Sequence, residues 1–500
     1  ADGTGAASNY SLNSTVINIT QRVLNSSGSK TYDGNTNAVA SDVTLSNLAG
    51  GETLSHSGTA TLGSKNVGSS TISNLSGISI ANGTGAASNY TLTGGTHNFT
   101  VNKRVVNVSG TRLYNALNTA VASDLSTMTN LVGSETLVLS NSGTLANANV
   151  GSNKTVTIGS LSLGNGSNGG LAANYTLTGG THQLTVNQRP LNATLARQYD
   201  ATTTAAGSTL SSFDALQGGQ TLSMSGSGTA ASANVANGIA MSSNGSLALV
   251  DGTGAASNYS LNSTVINITQ RVLNSSGSKT YDGNTNALAS DVTLSNLAGG
   301  ETLSHSGTAT LGSKNVGSST ISNLAGISIA NGTGAASNYT LTGGTHSFTV
   351  NKRVVNVSGT RLYNATTTAA ASDLSTMTNL VGSETLVLSS SGTLANANVG
   401  SNKTVTIGSL SLGNGSNGGL AANYTLTGGT HQLTVNQRPL NATIARQYDG
   451  TTNAAGSDVS SFDALQGGES LTMSGTGTVA SKDVANGQSV TVGSLALANG

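Results

Sequence analysis

The chain contains no cysteine in 500 residues, which excludes disulfides, thiolate metal sites and a cysteine nucleophile. It has no tryptophan and only two prolines, and no apolar run of about 18 residues that would cross a membrane as a helix. Charge is scarce: 8% of residues, summing to zero. A nucleic-acid binder would carry a basic excess, and a calcium-loaded array would need many carboxylates per repeat. Neither is present. The apolar residues alternate with Ser, Thr and Asn, so the chain does not read as disordered.

What is present is repetition. Six of the twelve tyrosines stand in a Ser/Ala-Asn-Tyr motif: Tyr10, Tyr90, Tyr175, Tyr259, Tyr339 and Tyr424. The other six stand in a basic-x-Tyr-Asp/Asn motif: Tyr32, Tyr114, Tyr199, Tyr281, Tyr363 and Tyr448. The second series steps by 82, 85, 82, 82 and 85 residues, the mark of a tandem array. A longer period lies above it, because residues 1–249 recur almost verbatim from residue 250. Three different units form a cassette that occurs twice, which keeps near-identical units apart and limits misfolding between neighbours.

The spacing divides the chain into closing strands of a preceding unit at 1–21, units at 22–103, 104–188, 189–270, 271–352 and 353–437, and a truncated unit at 438–500. The opening Ala1-Asp2-Gly3 and the closing Ala498-Asn499-Gly500 are equivalent positions. That predicts a window on a longer chain or polymer, in which the start of one copy fits the end of the next. Unit 104–188 shows period-2 strands at Val106 and Val108, at 136–139, at 154–158 and at 184–186, with turn residues between them and a short turn expected within 120–128. This predicts an all-β fold: ~83-residue Ig-like β-sandwich units stacked head to tail without linkers. β-grasp-like units or a continuous β-solenoid are the alternatives. Across Gln188-Arg189-Pro190 the apolar positions shift by one residue, so one unit's last strand runs directly into the next unit's first, turned to another face. Stiff stacking follows.

Lys30-Thr31-Tyr32-Asp33-Gly34, with Gly-Thr-Ala-Thr at 58–61, Lys-Asn-Val-Gly at 65–68 and Ser-Asn-Tyr-Thr-Leu at 88–92, resembles the YDG-type repeats of large bacterial adhesins. These repeats often accompany the similar MBG domains of filamentous-haemagglutinin-like proteins. The resemblance spans essentially the whole chain. It implies secretion from a bacterium, a cell-surface or matrix location, and stalk or adhesion duty, and it carries no catalytic residues. A cysteine-free chain suits export in an unfolded state.

The six basic-x-Tyr tyrosines are expected as structural corners, at least half buried, with Lys30 or its equivalent beside the ring and a backbone partner for the hydroxyl. Asn115 and Asn364 stand where other units have Asp, so that carboxylate is dispensable and not a catalytic acid. Arg22, Lys103, Arg104, Arg189, Arg271, Lys352, Arg353 and Arg438 cluster at the unit boundaries. They are either candidate contacts to polysaccharide or a neighbouring filament, or packing groups at unit interfaces. The six histidines are dispersed, with no recurring carboxylate beside them, so no metal site, cofactor or catalytic triad is expected. The leading expectation is a structural extracellular rod whose partners are further copies of the repeat, laterally associated filaments or polysaccharide, without nucleic acid or membrane insertion. The rival is a multivalent glycan-binding module.

Overall fold

Alternation of Val, Leu and Ile with small polar residues can be buried on one side only by a strand. The computed structural model, which describes residues 4–500, is built of such strands. Ala1-Asp2-Gly3 lies outside the described residues. Among the described residues there is no α-helix, only twelve three-residue 3-10 turns. One of these, Ala122–Asp124, fills the turn expected within 120–128.

Repeat 104–188 shows the plan. Its first long strand, Asn107–Leu113, lies parallel to its last, His182–Asn187, with Val108 opposite His182 and Leu113 opposite Asn187. Thr127–Thr129 flanks the first strand and Gly151–Thr155 flanks the last, both antiparallel. Smaller ladders, Thr119–Val121 with Ser142–Thr144 and Leu137–Ser140 with Ser162–Asn165, complete the unit. In repeat 22–103 the nine-residue strand Leu54–Leu62 serves two ladders: residues 54–58 pair with Ile78–Asn82, and residues 59–62 pair with Asn37–Val39 and Gly68–Asn74. Such a strand curls the sheets into barrel-like half-barrels. The parallel pairing of first and last strands is what the sandwich expectation lacked, because alternation reports which face is buried but not strand direction.

The junction is as tight as the phase shift implied. Strand His182–Asn187 is followed by Gln188 alone before strand Arg189–Gln198 begins. Leu184 and Val186 are buried before it, Leu191 and Ala193 after it. By its contacts the chain forms two compact units. The first comprises Ala1–Arg197, Thr203–Ser232 and Ala236–Asn267; the second comprises Gln198–Thr202, Ala233–Val235 and Ile268–Gly500. In the first, buried side chains from Tyr32 to Tyr259 form one continuous apolar cluster. In the second, those from Tyr281 to Val435 do the same.

One expectation needs correction. Closing strands were expected within residues 1–21, but residues 4–21 hold the 3-10 turn Ala7–Asn9 and no ladder. In repeat 189–270 the equivalent strand, Tyr259–Thr269, sits in the middle of a six-stranded sheet between Ala236–Ser243 and Arg189–Gln198. Residues 10–20 have no such neighbours in this chain. For the same reason repeat 438–500 has a divided sheet, with Asn453–Ala455, Thr476–Val479 and Val490–Thr491 on one side and Ala442–Ile444 with Val459–Phe462 on the other.

Candidate functional site at the repeat junctions

The two tyrosine motifs meet. Tyr32, from repeat 22–103, packs edge-to-face on Tyr175 of the following repeat, with ring centroids 5.4 Å apart. Edge-to-face contact sets the positive rim of one ring against the negative face of the other. Between them lies Glu135: the Tyr32 hydroxyl donates to its Oε1 at 2.7 Å and the Tyr175 hydroxyl to its Oε2 at 2.6 Å. The Val132 N–H then donates to the Tyr175 oxygen at 3.0 Å. One buried carboxylate thus holds two phenols from adjoining repeats, and charge-assisted hydrogen bonds of this kind are the stronger class.

The clamp recurs. In the second unit Glu301 takes the hydroxyls of Tyr199 and Tyr339, and Glu384 those of Tyr281 and Tyr424. Gln220 occupies the same place between Tyr114 and Tyr259; its Nε2 donates to Tyr114 at 2.8 Å and its Oε1 accepts from Tyr259 at 2.8 Å. An amide turns its NH2 group to one side and its oxygen to the other, so Tyr114 becomes the acceptor. Glu52 holds Tyr90, and Glu469 holds Tyr363.

A second staple uses the asparagine of the Ser/Ala-Asn-Tyr motif. Asn174 Oδ1 accepts the Val67 N–H at 2.9 Å, and its Nδ2 donates to Asn66 Oδ1 at 3.0 Å, both in the preceding repeat. Asn258, Asn338 and Asn423 repeat this on Val150, Val235 and Val316. The junction arginines form a third. Arg104 donates through Nε and Nη2 to Asn130 of its own repeat and reaches back to the Tyr32 carbonyl at 3.4 Å. Arg271 and Arg353 do the same on Asn296 and Asn379, reaching the Tyr199 and Tyr281 carbonyls. Arg189 and Arg438 donate through Nε to the carbonyls of Tyr114 and Tyr363. Arg22 holds Asn47. Of the candidate ligand-contact residues, Arg22, Lys103 and Lys352 are exposed, Arg22 while it holds Asn47.

Steric fit adds selectivity. At Gly34, in a left-handed conformation with φ 81°, an added Cβ would stand 2.7 Å from Val132 Cγ1 of the next repeat. Gly283 meets Val381 of its next repeat in the same way, whereas the other three repeats with a following neighbour place alanine there, at Ala116, Ala201 and Ala365. Each of these alanines faces a glycine in the next repeat: Gly218, Gly299 and Gly467.

Burial pushes the phenol of Tyr175 up to about 12, with the Glu135 carboxylate beside it adding to the rise. Tyr281, Tyr339 and Tyr424 also rise to about 12, by burial first and by their glutamate second. Tyr32, Tyr199 and Tyr259 rise as well, with burial the leading cause. Both the apolar surroundings and the neighbouring anion disfavour a tyrosinate.

Tyr32, Tyr114, Tyr199 and Tyr281 are each at most 3% exposed and Tyr363 is half-buried, within the half-burial expected; Tyr448, in the last described repeat, is 59% exposed and departs from it. The hydroxyl partner is a glutamate of the next repeat, or Gln220 for Tyr114, not backbone. Lys30 does not serve the ring either. Its ammonium closes the following turn on Asp33 Oδ1 at 2.8 Å, Asn37 O at 2.6 Å and Asn35 at 3.0 Å. Arg112 and Arg361 close the corresponding turns on the carbonyls of Leu117 and Thr119 and of Thr366 and Thr368, and pair with Asp124 and Asp373 of the following 3-10 turns.

The histidines are structural. His97 Nε2 bonds the Leu92 carbonyl and its Nδ1 the Ser26 hydroxyl, each at 2.8 Å. His182 bonds the Leu177 carbonyl, but Val108 stands where Ser26 would, and its buried Nδ1 has no partner. No group of three or more His, Asp or Glu with metal-binding geometry occurs among the described residues. The glutamates are what sequence reasoning missed. The chain's five glutamates are Glu52, Glu135, Glu301, Glu384 and Glu469, all of them clamp residues, so the signal was a residue type confined to one place in the repeat.

No curated protein matches the chain. The YDG domain profile matches it six times in succession, at residues 18–97, 100–183, 182–266, 267–347, 349–434 and 430–500. The chain therefore belongs to the YDG domain family, as a tandem array of six copies.

Proposed function

We propose that this array is a non-catalytic structural segment of a secreted bacterial surface adhesin or matrix filament, acting as stalk, fibre or biofilm scaffold. The observation that carries the proposal is where the rare side chains go. Every glutamate, and every tyrosine except Tyr10 and Tyr448, is engaged in a clamp that joins repeats or is placed to join them. Most of the boundary arginines are committed to backbone carbonyls or asparagines at the same junctions. A protein selected to bind a ligand along its length would keep such groups for its surface. Abundant Ser, Thr and Asn on the outer strand positions keep the array soluble without charge. Partners in this reading are further copies of the repeat, with lateral filament contacts or polysaccharide met through exposed groups such as Lys103 and Lys352. No cofactor is involved.

Small-angle scattering of the 500-residue chain tests the reading. An elongated particle of constant cross-section supports it; the profile of a collapsed globule or a freely jointed string rejects it. A glycan array provides the second arm. Selective retention by a defined glycan would favour the multivalent-binding alternative, and absence of retention supports the structural one.

A further inference from the structure

We infer that each repeat is a shear clamp and that the array's further function is to carry tension: a pull along the chain passes from a repeat's first strand straight to its last through the hydrogen bonds between them.

In repeat 104–188 the first strand, Asn107–Leu113, and the last, His182–Asn187, run parallel and side by side, from Val108 opposite His182 to Leu113 opposite Asn187. The chain enters at the start of the first strand and leaves at the end of the last. In a parallel pair those two points lie at opposite ends of the ladder. A pull on the chain therefore slides one strand along the other and loads the whole ladder at once. Antiparallel neighbours would put entry and exit at one end, and the same pull would part the hydrogen bonds one by one.

The ladder is extended at both ends. Upstream, Arg104–Val105 runs parallel to Tyr175–Thr176, and the Val106 N–H donates to the Thr176 carbonyl at 3.0 Å. Downstream, the Tyr114 N–H donates to the Asn187 carbonyl at 2.9 Å, and Arg189 Nε donates to the Tyr114 carbonyl at 2.7 Å. The junction arginine thus fastens the end of the first strand to the segment through which tension leaves. Residues 115–174 lie between the two strands in sequence. Their turns, including the left-handed Ala116 and Asn130, stay off the load path until the ladder yields.

Other repeats are fastened alike. Ser26 stands opposite His97 and Thr31 opposite Asn102 in repeat 22–103, and Val357 opposite His431 and Leu362 opposite Asn436 in repeat 353–437, again parallel. In repeat 271–352 the parallel register sets Ser278 opposite Thr349 and Thr280 opposite Asn351. The N–H groups of Tyr32, Tyr199, Tyr281 and Tyr363 donate to the carbonyls of Asn102, Thr269, Asn351 and Asn436 at 2.8–2.9 Å. Each of these tyrosine carbonyls accepts from the junction arginine that follows it, Arg104, Arg271, Arg353 or Arg438.

Because the chain has no cysteine, two introduced thiols choose where force is applied. Lys103, Thr181 and Asn187 are exposed. Lys103→Cys with Asn187→Cys pulls repeat 104–188 at its entry and exit. Lys103→Cys with Thr181→Cys pulls the same two strands from the ends at which both begin, and peels them. Constant-force optical trapping of the full chain reads the unfolding rate, and the released length identifies the repeat. At equal force the first pair should unfold at least about tenfold more slowly than the second, the factor that about one or two hydrogen bonds represent. Urea midpoints of the two double variants should agree, so that the rate reports direction of pull and not stability. A ratio below about tenfold, or a reversed order, would overturn the inference. Load-bearing as a role rests on the structural reading above, but the rate ratio does not. Selective glycan retention would reject that reading and leave the ratio standing; a failed ratio would leave an elongated scattering profile intact.

Discussion

Residues 10–20 and 259–269 are the same eleven residues with two fates. In the second copy Ile266 and Ile268 are at most 1% exposed, in a strand at the centre of a six-stranded sheet. In the first, Ile17 and Ile19 are 81% and 87% exposed and belong to no strand. Propensity and pattern are identical, so neither decides the outcome. What decides it is the presence of two neighbouring strands and an apolar floor, which is why strand preference behaves as fitness for a surface and not as a backbone property.

The sharpest way to break this comparison is a charge. Ile266→Asp should lose on the order of 5 kcal/mol by burying an unpaired carboxylate, whereas Ile17→Asp should lie within about 0.5 kcal/mol of wild type in dilute solution. Urea unfolding followed by circular dichroism measures both. Equal effects would mean that the two segments share one environment after all.

Tyrosine pairs sharpen it next. Tyr199 and Tyr448 are equivalent, at 3% and 59% exposure, and in the described residues only the first packs against a following repeat. Tyr199→Ala should cost about 3–5 kcal/mol, the range for removing a large buried ring. Tyr448→Ala should cost less than about 0.5 kcal/mol, as for an ordinary surface change.

Alkali offers a variant-free version. The clamp phenols have folded-state values raised from 10 to about 12 at Tyr175, Tyr281, Tyr339 and Tyr424. The fold therefore favours the neutral phenol. That stability is fully present below pH 10 and is lost as pH rises through about 12. Ultraviolet titration should show these tyrosines ionising together with unfolding; early ionisation in a still-folded chain would contradict the clamp. The smallest effect is Ser26→Val, which copies Val108 into the first repeat and strips His97 Nδ1 of its partner. It should cost about 1 kcal/mol, the net worth of one hydrogen bond.

Much of this architecture was legible. The tyrosine spacing located every repeat, and the one-residue phase shift at Arg189-Pro190 located a linkerless junction, because burial periodicity is written directly in side-chain order. Contacts more than a hundred residues apart were not legible in that way. Nothing local in Lys30-Thr31-Tyr32 says that its hydroxyl meets Glu135, or that Lys30 turns away to close its own loop. The exposed state of Tyr448 and of residues 10–20 was hidden for the converse reason: a repeat's sequence carries its half of an interface whether or not the other half is there.

The fit of Gly34 to Val132 bears on how such a gene can grow. An exchange shifted by three repeats restores that match, since Gly283 meets Val381 in the same way. An exchange shifted by one would set Ala116 against a second copy of Val132, a collision of Cβ with backbone-anchored methyl that the left-handed alanine cannot relieve. A repeat like 104–188 is thereby matched to a predecessor that carries glycine at this turn, and the shape of one turn restricts which repeat can stand before it.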